Sequence, residues 1–135
     1  MEIKIYDYLH QDVKNIREQV FIEEQGFNEE FDDIDQTCFF LVVYENKLPL
    51  GSLRYFKEND KWYIGRVAVK KEARGKHLGS LLMDKAESLL KNQTDKIYLE
   101  AQVRASHFYE SLGYRKTDQT HDDEGVLHVL MYKEI

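Results

Sequence analysis

The chain contains one cysteine, Cys38, and one proline, Pro49, in 135 residues. A lone cysteine excludes an intramolecular disulfide, which fits a reducing cytoplasm. A chain of this length buries about two-thirds of its unfolded surface, so one domain with one core needs no disulfide or metal to fold. Long apolar runs are also missing. The longest, Cys38 to Tyr44, is far shorter than the roughly 20 residues of a membrane-spanning helix. The N-terminus, Met1 to Tyr6, lacks the basic-then-apolar pattern of a signal peptide. A soluble, cytoplasmic protein with no membrane partner is expected. Basic charge is scarce too: the net charge is −6. Phosphates need lysine and arginine patches, so nucleic acid is disfavoured and cationic partners such as amines are mildly favoured. The five histidines and Cys38 have no metal-ligand spacing, and no metal site is expected.

The hydrophobic pattern sets the order of elements. Residues 2–8 alternate as a strand does. Residues 11–25 place Val13, Ile16, Val20 and Phe21 on one helical face. The acidic run Glu29 to Asp35 reads as a loop or short helix. Three strands follow, over 38–45, 50–57 and 61–70, with turns at Pro49 and at Asn59-Asp60. Residues 78–91 form the clearest helix, through Leu78, Leu81, Leu82, Ala86, Leu89 and Leu90. Then come a strand at 96–102, a short helix at 105–112 and strands at 114–118 and 126–133, these last around a polar loop from Asp118 to Gly125. The order β-α-α-β-β-β-α-β-α-β-β predicts an α/β fold with a mixed sheet and helices on both faces.

The stretch Arg74-Gly75-Lys76-His77-Leu78-Gly79 lies between a strand and the clearest helix. A glycine-bearing basic turn there aims free N–H groups and the positive helix end at one point, as an anion site does. The phosphate loop GxxxxGK[ST] is excluded, because His77 follows Lys76, and the dinucleotide fingerprint GxGxxG is absent.

The apolar strand, the turn and the helix resemble motif A of the GNAT N-acetyltransferase superfamily, [QR]-x-x-G-x-[GA]. Further segments extend the likeness over nearly the whole chain: Val20 to Gln25 with Asp33 and Asp35, Gly51 to Arg54, Arg66 to Val69, Ala101-Gln102, Phe108 to Tyr114, and Glu124 to Met131. Together they look like the ElaA/YjcF-like branch. The resemblance implies a single GNAT-type domain over residues 1–135 that uses acetyl-CoA. It also implies that Arg74, Gly75, Lys76, His77, Leu78, Gly79 and Ser80 hold the pyrophosphate, and that the backbone of Val67, Ala68 and Val69 holds the pantetheine arm. His77 stands where the motif has its central glycine. If that position needs a positive φ, histidine costs more than glycine, and cofactor binding is expected to be weakened rather than lost.

Acetyl transfer from a thioester to an amine needs a neutral amine and a proton for the leaving thiolate. The resemblance puts Tyr109 near the thioester sulfur as general acid. The base has four candidates, Glu100, Glu24, His128 and His107, besides a bound water. Arg54 and Arg66 lie in strands among apolar residues and need partners. They either clamp an anionic group of the substrate or pair with Glu24, Asp33 or Asp35, and the pairing is favoured slightly. Glu24, Arg54, Arg66 and His128 are the expected acceptor-side residues. The expected function is N-acetylation of a small-molecule primary amine by direct attack in a ternary complex. The competing readings are a non-catalytic CoA-binding sensor and a protein-interaction module. A homodimer through the late strands is compatible with the sequence, and no feature demands it.

Overall fold

The computed structural model describes residues 1–28 and 31–135. Strand β1 (Glu2–Tyr6) leads to helix α1 (Gln11–Arg17), which continues as a π-helical turn over Glu18–Glu24. Strands β2 (Phe39–Glu45), β3 (Leu48–Glu58) and β4 (Lys61–Val69) form an antiparallel meander. Helix α2 (Leu78–Leu90) crosses over to β5 (Lys96–Gln102), which runs parallel to β4. Helix α3 (Ser106–Ser111) and the hairpin of β6 (Arg115–Asp123) and β7 (Val126–Glu134) complete the chain. The seven strands make one mixed sheet in the order β1-β2-β3-β4-β5-β7-β6.

The sheet is covered on both faces. Val13, Ile16, Val20 and Phe21 pack on Phe40, Val42 and Ala68 on one side. Leu78, Leu82, Met83, Ala86 and Leu90 of α2 pack on Leu41, Val43, Leu53 and Ile64 on the other, together with Phe108, Tyr109 and Leu112. Strand β2 is therefore buried on both faces, which explains why its sequence is a continuous apolar run rather than an alternation. Cys38 is 2% exposed, and burial pushes its thiol up to about 11. It is an inert packing residue. Among the described residues, no helix is long and apolar enough to cross a membrane, and no cluster of side chains is arranged to hold a metal.

Three local expectations need correction. The β2–β3 turn is Asn46-Lys47, both at positive φ, and Pro49 lies inside β3 opposite Tyr44 at a register shift. Such an irregularity is where a strand accepts a residue without an N–H. The helix expected over 11–25 is α-helical only to Arg17. It then widens, with Gln25 N–H bonding the Val20 carbonyl and Phe27 N–H that of Phe21. The largest departure is at Asp118 to Gly125. Residues up to Asp123 extend β6, and only Glu124-Gly125 turns, both at positive φ. β6 is an exposed edge strand, so polar residues fill both its faces and erase the alternation. Of the acidic run, Glu29 and Glu30 lie outside the described residues; Asp33–Gln36 form a short 3₁₀ turn.

Candidate active site

Strands β4 and β5 pair only at Trp62 with Ile97 and Tyr63 with Tyr98, and then part. The gap opens into a cleft of about 140 Å³. One wall is Ile64 to Val67 of β4, and the other is Leu99 to Gln102 of β5. Phe21, Gln25 and Phe27 come from the π-helical turn and its exit, Ala105 and Tyr109 from α3 and the turn before it, and Asp123 and His128 from the last hairpin. The widened turn has a role here: its i−5 and i−6 bonds rotate Gln25 and Phe27 away from a plain helical path and into the cleft. Arg66, on the β4 wall, takes φ 51 opposite the register shift between Ser52 and Arg54. This is a bulge that turns the strand at the cleft.

The turn before α2 sits beyond the β4 end of this cleft. Gly75 has φ 88, and His77 has φ 60 and ψ 29 as the residue before the helix. The motif position therefore lies in the left-handed region, the case in which histidine costs more than glycine, and the imidazole is exposed. The first helical bond from this end is Leu81 N–H to the His77 carbonyl, so the N–H groups of Leu78, Gly79 and Ser80 have no partner within the helix. The backbone thus keeps the glycine geometry, and the histidine contributes strain rather than a different turn. His77→Gly is expected to raise stability by up to about 1 kcal/mol, because relief of left-handed strain exceeds the chain-entropy cost of glycine. A thermal melt checks this; a lower melting temperature would show the imidazole to be a stabilising contact.

The two cations of the turn are held by carboxylates. Arg74 bonds Glu24 through both guanidinium NH2 groups, at 2.5 and 2.7 Å, and also donates to the Val69 carbonyl. The Arg74 hydrogen bonds hold the Glu24 carboxyl below the usual carboxylate range. Lys76 lies 3.4 Å from Glu45. Gly79 is where α3 meets α2: a Cβ there would stand 3.0 Å from the Phe108 ring. That close approach fixes α3 and with it the neighbouring Tyr109.

The candidates separate accordingly. Tyr109, Glu100, Arg66, Val67 and His128 line the cleft. Ala68 is buried against α1, and Val69 supports Arg74 through its carbonyl. Glu24 is turned to Arg74 and does not reach the cleft. Arg54 is 4% exposed and locked to Asp32 at 2.6 Å and Asp35 at 3.0 Å, so it too stands outside the acceptor wall. Arg66 lies 3.4 Å from Asp32. Of the pairings expected for the two arginines, Arg54 with Asp35 is present, and Asp32, which meets both arginines, is a partner that charge counting missed. His107 is 98% exposed beside Glu110, away from the cleft. Burial pushes the Tyr109 phenol well above its ordinary value. Gln25, Phe27 and Asp123 were not singled out as cleft residues in the sequence. Asp123 was hidden because the strand was expected to end at residue 118, with a loop from Asp118 to Gly125; a two-residue turn at Glu124-Gly125 would have set the register that brings it in.

These features match known proteins along the whole chain. The model of the acetyltransferase (GNAT) domain matches residues 5–135. YjcF of Bacillus subtilis is 29% identical, with 88% of each chain covered. ElaA of Escherichia coli is 30% identical over 89% of this chain and 84% of its own, and its crystal structure superposes with a TM-score of 0.81 over 98% and 100% of the two chains. A crystal structure from Lactobacillus plantarum matches with a TM-score of 0.86 at 29% identity, covering 99% of both chains. With the parted strands, the left-handed turn and these relatives in agreement, the chain belongs to the GNAT acetyltransferase family, on the branch that holds YjcF and ElaA.

Proposed function

We propose that the protein transfers the acetyl group of acetyl-CoA to a primary amine of a small molecule, by direct attack with both substrates bound. The observation that carries this reading is the parting of β4 and β5 beside the turn of α2. Beyond Tyr63, no strand among the described residues pairs with the open edge of β4, so its backbone groups can bond an extended pantetheine arm. The arm then runs toward the turn, where the free N–H groups of Leu78, Gly79 and Ser80, with Gly75, Lys76 and His77, suit a pyrophosphate. The phosphate takes the place of Glu24 on Arg74, exchanging one bidentate anion for another.

At the other end of the arm the thioester faces the cleft. Tyr109 supplies an O–H to the leaving sulfur, and a backbone N–H near Val67 supports the developing oxyanion. An alkyl ammonium, with a pKa of about 10.4, must lose a proton before it attacks. Glu100 and His128, facing each other's strands across the cleft wall, are the groups able to take it. The acidic surroundings, with Asp123 beside them, favour a cationic acceptor over an anionic one.

Thermal unfolding with and without acetyl-CoA tests the reading. Ligand at 100 times its Kd adds about 2.7 kcal/mol, a shift of several degrees in a domain of this size. Arg74→Ala is expected to reduce the shift while changing the unliganded melt little, because the pair it breaks is at the surface, partly open to solvent. A shift with no thiol release for any amine would leave a CoA-binding module; no shift at millimolar ligand would remove the CoA site altogether.

A further inference from the structure

We propose that His128 is the general base of the acceptor cleft, and that it takes the proton of the attacking amine on Nε2. The inference rests on the transferase reading above and goes beyond it by choosing between the two proton acceptors on the wall.

The geometry begins with the backbone. His128 Nδ1 lies 2.9 Å from the Val126 carbonyl oxygen, two residues back on the same face of β7. A carbonyl only accepts, so Nδ1 carries the proton and donates it. The neutral ring is thereby fixed in the tautomer whose lone pair is on Nε2. That ring lines the cleft with Tyr109 and the β4 wall. A base held in one tautomer by a backbone group needs no rearrangement before it accepts a proton.

Several ionisable groups surround the ring. In register, His128 faces Gln102 on β5 and His121 on β6. The His121 ring stacks on it at 5.2 Å and 21°. Glu100 lies beside His121, its carboxylate 3.9 Å from Nε2. Asp123 and Glu100 line the same cleft as His128, whereas the cation of that wall, Arg66, is drawn to Asp32. Arg104 bonds Gln102, and Asp122 lies next along β6. Glu100 is the weaker choice for the proton because its side chain is 54% exposed and its carboxylate lies 3.9 Å from His121 Nε2.

The protons balance. The bound ammonium has three and the amide product one. His128 takes the first and returns it to solvent. As the amine nitrogen bonds the acetyl carbon, the carbon–sulfur bond breaks and the sulfur leaves with that electron pair. Tyr109 gives the sulfur its proton, and the second amine proton restores the phenol.

The test compares His128→Gln with the unaltered protein, reading thiol release from acetyl-CoA. The acceptors are the best alkyl primary amine from a panel and hydroxylamine, which is already neutral near neutral pH. His128→Gln is expected to lower kcat on the order of 10²-fold with the alkyl amine and only a few-fold with hydroxylamine. Equal losses with both acceptors would assign His128 to binding or structure and overturn the proposal. So would an unchanged rate in His128→Gln with a large loss in Glu100→Gln. If the unaltered protein releases no thiol with either acceptor, the transferase reading falls, and this one with it.

Discussion

Asp35→Ala is expected to destabilise the fold by about 3–5 kcal/mol, a large part of the total stability of a domain this size. Asp35 is 3% exposed and accepts from Arg17 through both oxygens, at 2.7 and 2.9 Å, with Arg54 a further donor at 3.0 Å. Arg17 is 1% exposed. Removing the carboxylate leaves Arg17 buried without its bidentate partner, while Arg54 keeps Asp32. The loss is therefore of compensation, not of attraction alone. Adding Arg17→Met to Asp35→Ala removes the buried charge that has lost this carboxylate and is expected to recover part of the loss, giving a clearly non-additive pair in urea unfolding. Additive effects would mean that Arg17 finds water or another partner when Asp35 is gone.

The same carboxylates set an acid limit. Burial works to raise the Asp35 carboxyl, and the hydrogen bonds and charge of Arg17 outweigh it, so the group titrates below its ordinary value. Burial opposes and Arg54 prevails at Asp32 in the same way. A depressed carboxyl contributes stability that is whole above the unfolded value, about 3.9, and is lost as pH falls through the folded one. Acid unfolding is thus expected below about pH 4, and in Asp35→Asn that part of the pH dependence is expected to flatten.

This network also marks how far the sequence can be read. The paired helices and the central strands were legible because each buries an apolar stripe, as α2 does with Leu78, Leu82, Ala86 and Leu90. The turn before α2 was legible as a turn because Gly75 breaks the strand and helix patterns on either side of it. Polar partners were not. Arg54 needs a carboxylate by burial alone, but nothing in the spacing selects Asp32 over Asp33, since the choice depends on the 3₁₀ turn that Asp32 caps. Glu24 looked like a cleft residue because the helix was extended regularly to residue 25, and the π-helical turn redirects it to Arg74. The second half of β6 was hidden for the opposite reason: an edge strand buries almost nothing, so its pattern carries little signal until β7 supplies the register.

Tyr109→Phe is expected to lower kcat by about 10²-fold while the fold is unchanged, since a positioned proton donor contributes at least that much. The ring packs edge-on to Phe108 at 5.0 Å and to Tyr114 at 6.2 Å, and phenylalanine keeps both contacts. The hydroxyl alone is deleted. Burial holds the phenol above its ordinary value, so it keeps its proton throughout the working range. Its kcat profile should then have no falling limb from this group below about pH 10. A raised phenol is a weak acid in the absence of a base, yet the sulfur gains basicity as the carbon–sulfur bond breaks, and the donor is needed only then. Full activity in Tyr109→Phe, with the melting temperature also unchanged, would reduce Tyr109 to a packing residue beside Phe108. A loss of activity with KM for acetyl-CoA unchanged would separate proton donation from cofactor holding, because Tyr109 lines the cleft and the residues of the α2 turn do not.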